Sequence, residues 1–417
     1  MAERIQVPRG TFDVLPSDWA ERTHVEAEAR RILEAAGYRR LETPTFEATE
    51  LFARGVGEST DIVQKEMYTF DDGGGRSVTL RPEGTAPVCR AYLEHGMHKD
   101  PQPVKLWYLG RYYRREAPQA GRYREFWQIG AEAIGSDDPA VDAEIIVLLS
   151  ELFEALHVPE LTLRISSLGT PKTRRAYGDE LTQYLRANED RLSDDVRARI
   201  DLNPMRAWDS DHRGTQEVMR DAPRLLDRLD GDDAEHFARV LDLLKIAGVA
   251  YEVDPTLVRG LDYYTRTVFE FTSSALGAQS GVGGGGRYDG LVEQLGGAPT
   301  PGCGFAAGVE RILLASGGQP AADPPVDLFI ALAKEEMHDE GFRIATDARR
   351  AGMSAQLELA GRSLKGQMKQ AGRIGARYVA IVAEDGVELK DMESGEQSPV
   401  SSGDAAVAAV LRGRHPA

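Results

Sequence analysis

Five glycines fill the six positions Gly281-Val282-Gly283-Gly284-Gly285-Gly286 and satisfy the pattern G-x-G-x-x-G. In a dinucleotide-binding fold that pattern needs a strand before it, a helix directly after it and an acidic residue about 20 positions on. Here Arg287-Tyr288-Asp289-Gly290 follows, which extends a turn instead of opening a helix. No glycine precedes Lys-Ser or Lys-Thr in a Walker A frame either. Two readings remain for the run: a flexible loop, or a place where backbone comes close to a ligand, which only glycine permits.

The chain has 417 residues, enough for two to four domains at roughly 100–200 residues each. With 41% hydrophobic and 28% charged residues, disorder as the dominant state is excluded. Two cysteines, Cys89 and Cys303, are too few for a disulfide framework or a four-cysteine zinc site, which points to a reducing compartment. The start, Met1-Ala2-Glu3-Arg4-Ile5-Gln6, lacks the apolar core of a secretory leader. No stretch approaches the roughly 18 uncharged apolar residues of a membrane helix, so a cytoplasmic protein with no membrane partner is expected. A formal net charge of -17 argues against coating nucleic acid through bulk charge. The balance is uneven, however: residues 343–378 hold eight basic against two acidic side chains, and residues 101–132 six against three.

Helical spacing of Val25, Ala29, Ile32, Leu33 and Ala36 predicts a helix from Ser17 or Asp18 to Ala36, stopped by Gly37. A strand is expected over 38–46, ending near Pro44, and a hairpin over 66–71 and 76–81 around Asp72-Gly73-Gly74-Gly75. Strands near 104–113 and 124–134 and a helix over 139–156 follow. Between 171 and 235 apolar residues thin out, with 12 basic and 16 acidic side chains, and the strand pattern vanishes, as in an inserted helical module. Strands return at 249–253 and 267–272, then a helix from Gly308. Gly317–Pro325 reads as a linker. Beyond it, strand 327–333, helix 335–351, strand 354–359, helix 362–374 and strand 378–383 form a small α/β unit.

Three segments carry chemistry. Arg111, Arg114, Arg115, Arg122 and Arg124 alternate with Tyr112, Tyr113, Tyr123, Phe126 and Trp127 on strands joined by Ala117-Pro118-Gln119-Ala120-Gly121. Arginine forks bind phosphate oxygens bidentately, although a solvent-facing hairpin with cross-strand ion pairs would use the same residues. Val258-Arg259-Gly260-Leu261-Asp262-Tyr263-Tyr264 sets one arginine between an apolar strand end and paired tyrosines. Leu80-Arg81-Pro82-Glu83-Gly84-Thr85 places a carboxylate and a hydroxyl past a strand, suited to an ammonium group or to an ordinary turn. No H-E-x-x-H, Cys/His ligand pair or G-x-S-x-G occurs, so no metal site is expected.

Together these segments resemble the histidyl-tRNA synthetase family of class II aminoacyl-tRNA synthetases. The first helix and the strand through Pro44 match motif 1, Tyr113-Arg114-Arg115-Glu116 through Phe126 matches motif 2, and Gly304-Phe305-Ala306-Ala307-Gly308-Val309-Glu310-Arg311 matches motif 3. Leu257–Tyr264 and the glycine run through Gly290 match segments peculiar to the histidine enzymes. The resemblance implies an α/β fold with an α+β catalytic core: a class II antiparallel sheet flanked by helices, a mostly helical insertion and a C-terminal α/β anticodon-binding domain. The implied divisions are 1–170, 171–240, 241–318 and 326–417. It implies activation of L-histidine by ATP and transfer to tRNA(His) by a homodimer, with no organic cofactor and with Mg2+ accompanying ATP.

Residue roles follow by correspondence. Arg114 would bridge the α-phosphate and the histidine carboxylate, with Arg259 on the other side; both are the expected catalytic residues. Glu116, Arg122, Phe126 and Arg311 would complete the ATP site. Glu132 and Tyr264 would pair the two imidazole nitrogens, Glu83, Gly84, Thr85 and Gln128 would hold the ammonium end, and Tyr263 and Tyr288 would wall the pocket. Gln119 and the helical stripe Arg362, Lys365, Lys369 and Arg373 would meet tRNA, with Leu364 and Met368 on the opposite face; such a stripe otherwise reads as a solvated face. The motif 2 loop departs from the common bacterial pattern at Ala117 and Ala120, and Trp127 stands where a smaller residue is usual. The competing classes are a catalytically silent, histidine-sensing regulatory paralogue and, on the glycine pattern alone, a nicotinamide-dependent oxidoreductase.

Overall fold

Pro16 opens α1 (Pro16–Ala35), where a missing N–H is no loss. The computed structural model describes residues 4–57, 60–258, 261–277, 280–317 and 326–414. The apolar stripe of α1 (Val25, Ala29, Ile32 and Leu33) is buried, and Gly37 takes the left-handed conformation just beyond. The predicted strand over 38–46 is two short strands in different sheets. β1 (Arg39–Arg40) runs parallel to a long strand of the main sheet, and β2 (Phe46–Ala48), beyond Pro44, joins a small three-stranded sheet.

After α2 (Thr49–Val56) comes the hairpin β3 (Tyr68–Asp71) and β4 (Ser77–Leu80), turned by Asp71 and Asp72 carboxylates that accept from Gly73, Gly74 and Gly75 backbone N–H groups. Next are α3 (Thr85–Glu94), the long hairpin β5 (Val104–Tyr113) and β6 (Glu125–Ile134), α4 (Pro139–Ala155) and β7 (Leu161–Ser167). Helices α5 (Pro171–Ala187), α6 (Asp194–Arg199), α7 (Arg213–Arg220) and α8 (Gly231–Ile246) then interrupt the sheet. It resumes with β8 (Glu252–Val253), β9 (Thr265–Ser273) and β10 (Gly281–Arg287), then α9 (Leu291–Gln294), β11 (Gly302–Gly308) and α10 (Val309–Ser316).

The main sheet has the order β1-β5-β6-β11-β10-β9-β7-β8 and is antiparallel except at its two ends. Alternation sorts its residues. Ile129, Ala131 and Ala133 of β6 and Cys303, Phe305 and Ala307 of β11 join α1 and α4 in one core, whereas Gln128, Gly130, Glu132, Gly304 and Ala306 face the other way. Helix α8 runs past the expected limit at 240, and its Phe237, Val240 and Leu244 belong to that same core.

The glycine run is neither a loop nor a turn: it is β10, an interior strand between β11 and β9. A Cβ at Gly285 would overlap the Gly304 carbonyl, and one at Gly286 the Thr267 carbonyl. Neighbouring backbones occupy the space where side chains would stand, and the register with β9 shifts at both ends of the run.

Chain contacts separate residues 1–320 from a second unit, residues 321–417; most of the expected linker, 318–325, lies outside the described residues. The second unit contains β12 (Leu328–Leu332), α11 (His338–Arg350), β13 (Ala355–Leu357), α12 (Leu364–Arg373), β14 (Tyr378–Ala383), β15 (Gly386–Asp391), β16 (Gln397–Val400) and α13 (Gly403–Arg414). Its sheet order is β13-β12-β14-β15-β16, parallel across the first three and antiparallel beyond. Two expectations need correction. Arg362 precedes α12 and pairs with Glu358 at 3.1 Å, so it is not part of the helical stripe. Leu364 is exposed; the buried face of α12 is made by Gln367 and Ala371, and Gln367 exchanges hydrogen bonds with both backbone groups of Leu332.

Candidate active site

Two confluent cavities open on the non-core face of the main sheet. The narrower, about 150 Å³, is lined by Glu83, Gly84, Thr85, Arg114, Gln128, Leu261, Tyr263, Tyr264, Gly284, Tyr288 and Gly304, among others. It thus brings together all the expected histidine-binding residues except Glu132, buried at its floor, and Arg259. Arg259 and Gly260 lie outside the described residues; Leu261 lines both cavities.

Glu132 is buried behind the lining of the small cavity, bonded to Thr85 and Tyr288, which do line it. Its Oε1 accepts from the Thr85 hydroxyl at 2.8 Å and the Tyr108 hydroxyl at 3.1 Å, and its Oε2 from the Tyr288 hydroxyl at 2.7 Å. Burial pushes its carboxyl up to about 8, against the opposing effect of these donors. Glu83 is likewise raised by burial, while accepting from the backbone N–H groups of Thr85 (2.8 Å) and Ala86 (3.0 Å) at the start of α3. Buried Arg81 fixes the preceding turn by donating to the Arg111 and Thr43 carbonyls, its guanidinium 4.7 Å from the Tyr112 ring centre. Among the described residues the buried Gln128 Oε1 has no hydrogen-bond partner, and Tyr263 packs edge-on against Tyr264 and Tyr288.

Tyr108 escaped sequence reading. It sits opposite Gly130 in the β5–β6 register, and a Cβ at either Gly84 or Gly130 would overlap its ring. Two glycines thus make the slot through which its hydroxyl reaches Glu132. The signal exists only once the cross-strand register is known.

The wider cavity, about 510 Å³, gathers Arg114, Glu116, Arg122, Phe126 and Arg311 with Gly281, Gly283 and Gly284 on its floor. Glu116 lies 3.7 Å from Arg114 and 3.6 Å from Arg122, and the Arg114 guanidinium is 5.4 Å from the Phe126 ring centre. Arg114 is held by donation to the Pro82 carbonyl at 2.9 Å, and Arg311 by donation to the Gly281 carbonyl. Glu310, next to Arg311, pairs with Arg22 of α1 at 3.0 Å and accepts from the Trp127 N–H at 2.9 Å; this buried cross-link orienting α10 also escaped sequence reading. Gln119 is not part of either cavity's lining; it closes the motif 2 loop through backbone bonds with Arg122. Lys365, Lys369 and Arg373 are exposed on α12 in the second unit. Among the described residues, no group of three or more His, Cys, Asp or Glu could hold a metal, and no helix is long and apolar enough to cross a membrane.

An antiparallel sheet whose hairpin β5–β6 and closing strand–helix pair β11–α10 supply arginines to one cavity is the catalytic architecture of a class II aminoacyl-tRNA synthetase. The family model described as histidyl-tRNA synthetase matches residues 10–312, and the one described as anticodon binding domain matches residues 327–410. A histidine–tRNA ligase of Halothermothrix orenii is 45% identical over 401 residues, covering 94% of this chain and 96% of its own. One from Pelotomaculum thermopropionicum is 48% identical over 402 residues, covering 94% of each chain. The crystal structure of apo S. aureus histidyl-tRNA synthetase superposes with a TM-score of 0.81 at 35% identity, covering 98% of this chain and 100% of that one. The chain belongs to the histidyl-tRNA synthetase family.

Proposed function

We propose that the protein is a histidine–tRNA ligase, which joins L-histidine to ATP as histidyl-adenylate, releases pyrophosphate, and passes the histidine to the 3′ end of tRNA(His). The observation that carries this reading is the surroundings of Glu132. An ionised carboxylate has about four acceptor sites. Three hydroxyls occupy three of them, which leaves one for an imidazole N–H. Tyr264, in the same cavity, donates to the other ring nitrogen. An apolar isostere would leave both groups unmatched, so this pairing supplies selectivity. The orphaned Gln128 oxygen, with Glu83 and Thr85 nearby, accepts from the α-ammonium group.

ATP fills the wider cavity. Phe126 and Arg311 hold the adenine between them, Glu116 accepts from its amino group, and Arg122 and Arg311 reach the terminal phosphates. Arg114 lines both cavities and so can touch the attacking carboxylate and the α-phosphorus at once, the geometry that an in-line displacement between two anions requires. Magnesium travels with the nucleotide; Glu270 lines this cavity and suits the water shell of such a cation. The chain works in the cytoplasm as a homodimer. Its helical insertion, 171–240, divides the catalytic region into 1–170 and 241–318, and residues 326–417 bind the anticodon arm.

Histidine-dependent exchange between pyrophosphate and ATP tests the activity, and its absence from purified protein would leave the regulatory paralogue as the better reading. Tyr108→Phe should raise the KM for histidine about three- to tenfold, one hydrogen bond to a charged acceptor, with the KM for ATP unchanged. For tRNA, Lys365→Ala with Lys369→Ala should lower the slope of log affinity against log salt by about one for each phosphate that is no longer neutralised. An unaltered slope would return both lysines to the role of a solvated face.

A further inference from the structure

The segment carrying Tyr263 and Tyr264 is a wall with empty space on both sides. The histidine cavity lies on one side. On the other is a separate cavity of about 400 Å³, lined by Tyr263 and Tyr264 again together with Arg174, Asn203, Met205, Thr265 and others. Both tyrosines are buried and Tyr263 packs on Tyr288, but the second cavity leaves their far side only partly backed by side chains.

Helix α5 of the insertion holds the backbone of this wall. The Arg174 Nη1 donates to the Asp262 carbonyl at 2.9 Å and to the Tyr264 carbonyl at 3.0 Å, the peptide oxygens before and after the Tyr263–Tyr264 pair. Asn203 adds a bond to the Asp262 carboxylate at 3.2 Å. The root of α5 is itself anchored, since Asp233 of α8 accepts from the Thr170 N–H (2.8 Å), the Thr173 hydroxyl (2.9 Å) and Arg266 of β9 (3.2 Å). One guanidinium on these two carbonyls fixes both peptide planes, and with them the directions in which the two tyrosines leave the backbone. Burial disfavours the Arg174 charge, with Asp262 opposing, so the group is retained at a cost that its contacts must offset.

We infer that Arg174 is a positioning residue for histidine recognition, through which the insertion sets the orientation of Tyr263 and Tyr264. This rests on the histidine–tRNA ligase reading and extends it. The test uses the full-length protein with Arg174→Ala, Arg174→Lys and Asn203→Ala, comparing KM for histidine, KM for ATP and thermal midpoint in pyrophosphate exchange. Arg174→Ala should raise the histidine KM about tenfold or more, since it removes two hydrogen bonds from a charged donor, while the ATP KM stays within about twofold. Arg174→Lys, which can still donate to both carbonyls, should recover most of the loss. Asn203→Ala should act in the same direction more weakly, and serves if Arg174→Ala does not fold. Free guanidinium, small enough for the cavity behind the wall, should partly restore Arg174→Ala. An unchanged histidine KM would overturn the inference, as would equal losses for histidine and ATP accompanied by a lower midpoint and no rescue. Absence of exchange in the wild type is a different result, which removes the underlying activity.

Discussion

Arg259→Ala is expected to slow adenylate formation by about two to three orders of magnitude, the usual loss when a preorganised charge partner of a transition state is removed, and to leave binding of free histidine nearly unaltered. The reaction brings a carboxylate against a phosphate, and negative charge grows on the α-phosphoryl oxygens as the bond forms. Arg114 supplies one guanidinium from the β5–β6 hairpin, at the junction of the two cavities. The second guanidinium in the proposed mechanism is that of Arg259, two positions in sequence before Leu261; Leu261 lines the same junction. Charge that appears only on the way to the transition state affects rate without affecting ground-state binding. Single-turnover adenylate formation and calorimetric histidine binding separate the two. Equal losses in both would contradict the role, and a rate within a factor of about ten of wild type would remove it.

The second large effect concerns proton linkage at Glu132. Burial pushes its carboxyl up to about 8, so near neutral pH the empty site is mostly protonated: one oxygen then carries a proton, and with three hydroxyls already around the carboxyl the acceptor site for an imidazole N–H is lost. Histidine binding then requires loss of that proton. Affinity should rise with pH up to about 8, by as much as tenfold per unit, because each pH unit below the pKa costs about 1.4 kcal/mol. The imidazole of histidine, neutral above about 6.5, adds a second limb in the same direction at lower pH. Glu132→Gln has no proton to lose: the limb near 8 should vanish while the lower one stays, and affinity on the alkaline plateau should fall about ten- to a hundredfold with the loss of a charged acceptor. A wild-type binding profile that is flat between about pH 6.5 and 8.5 would sink this account.

Much of the fold could be read in the chain because its helices and paired strands carry side-chain periods. The stripe of α1, the turn at Asp71 and Asp72, and the helix capped by Asp138, whose side chain accepts from Ala140 at 2.8 Å, are local signals. What escaped was whatever local signals do not encode. A strand of glycines has no alternation to detect, so β10 could be read as a loop or as backbone close to a ligand, but not as an interior strand of the sheet. The edge strand β16 was missed because Gln397, Ser398 and Pro399 lack an apolar face, and β15 because only Val387 and Leu389 of its six residues turn toward the core. The arginines and aromatics of β5–β6 suited a phosphate site by residue type but suited a solvated hairpin equally. Tyr108 gave no such signal, since a buried tyrosine on a strand is ordinary until the register sets it across from Gly130. Leu364 went astray for the opposite reason: helical spacing placed it inward, but the glutamine Gln367 took the buried position by satisfying the end of β12.

The glycine strand also bears on how this enzyme could be altered by evolution or by design. Gly284 of β10 lines both cavities, and glycine is already the smallest residue. The floor can therefore be raised but never lowered. Any larger amino acid would have to be admitted by cutting back the walls at Tyr263, Tyr264 and Tyr288, and two of those three stand on the segment that the insertion holds. A change of substrate would thus have to be accommodated by a part of the chain that never touches the reacting atoms.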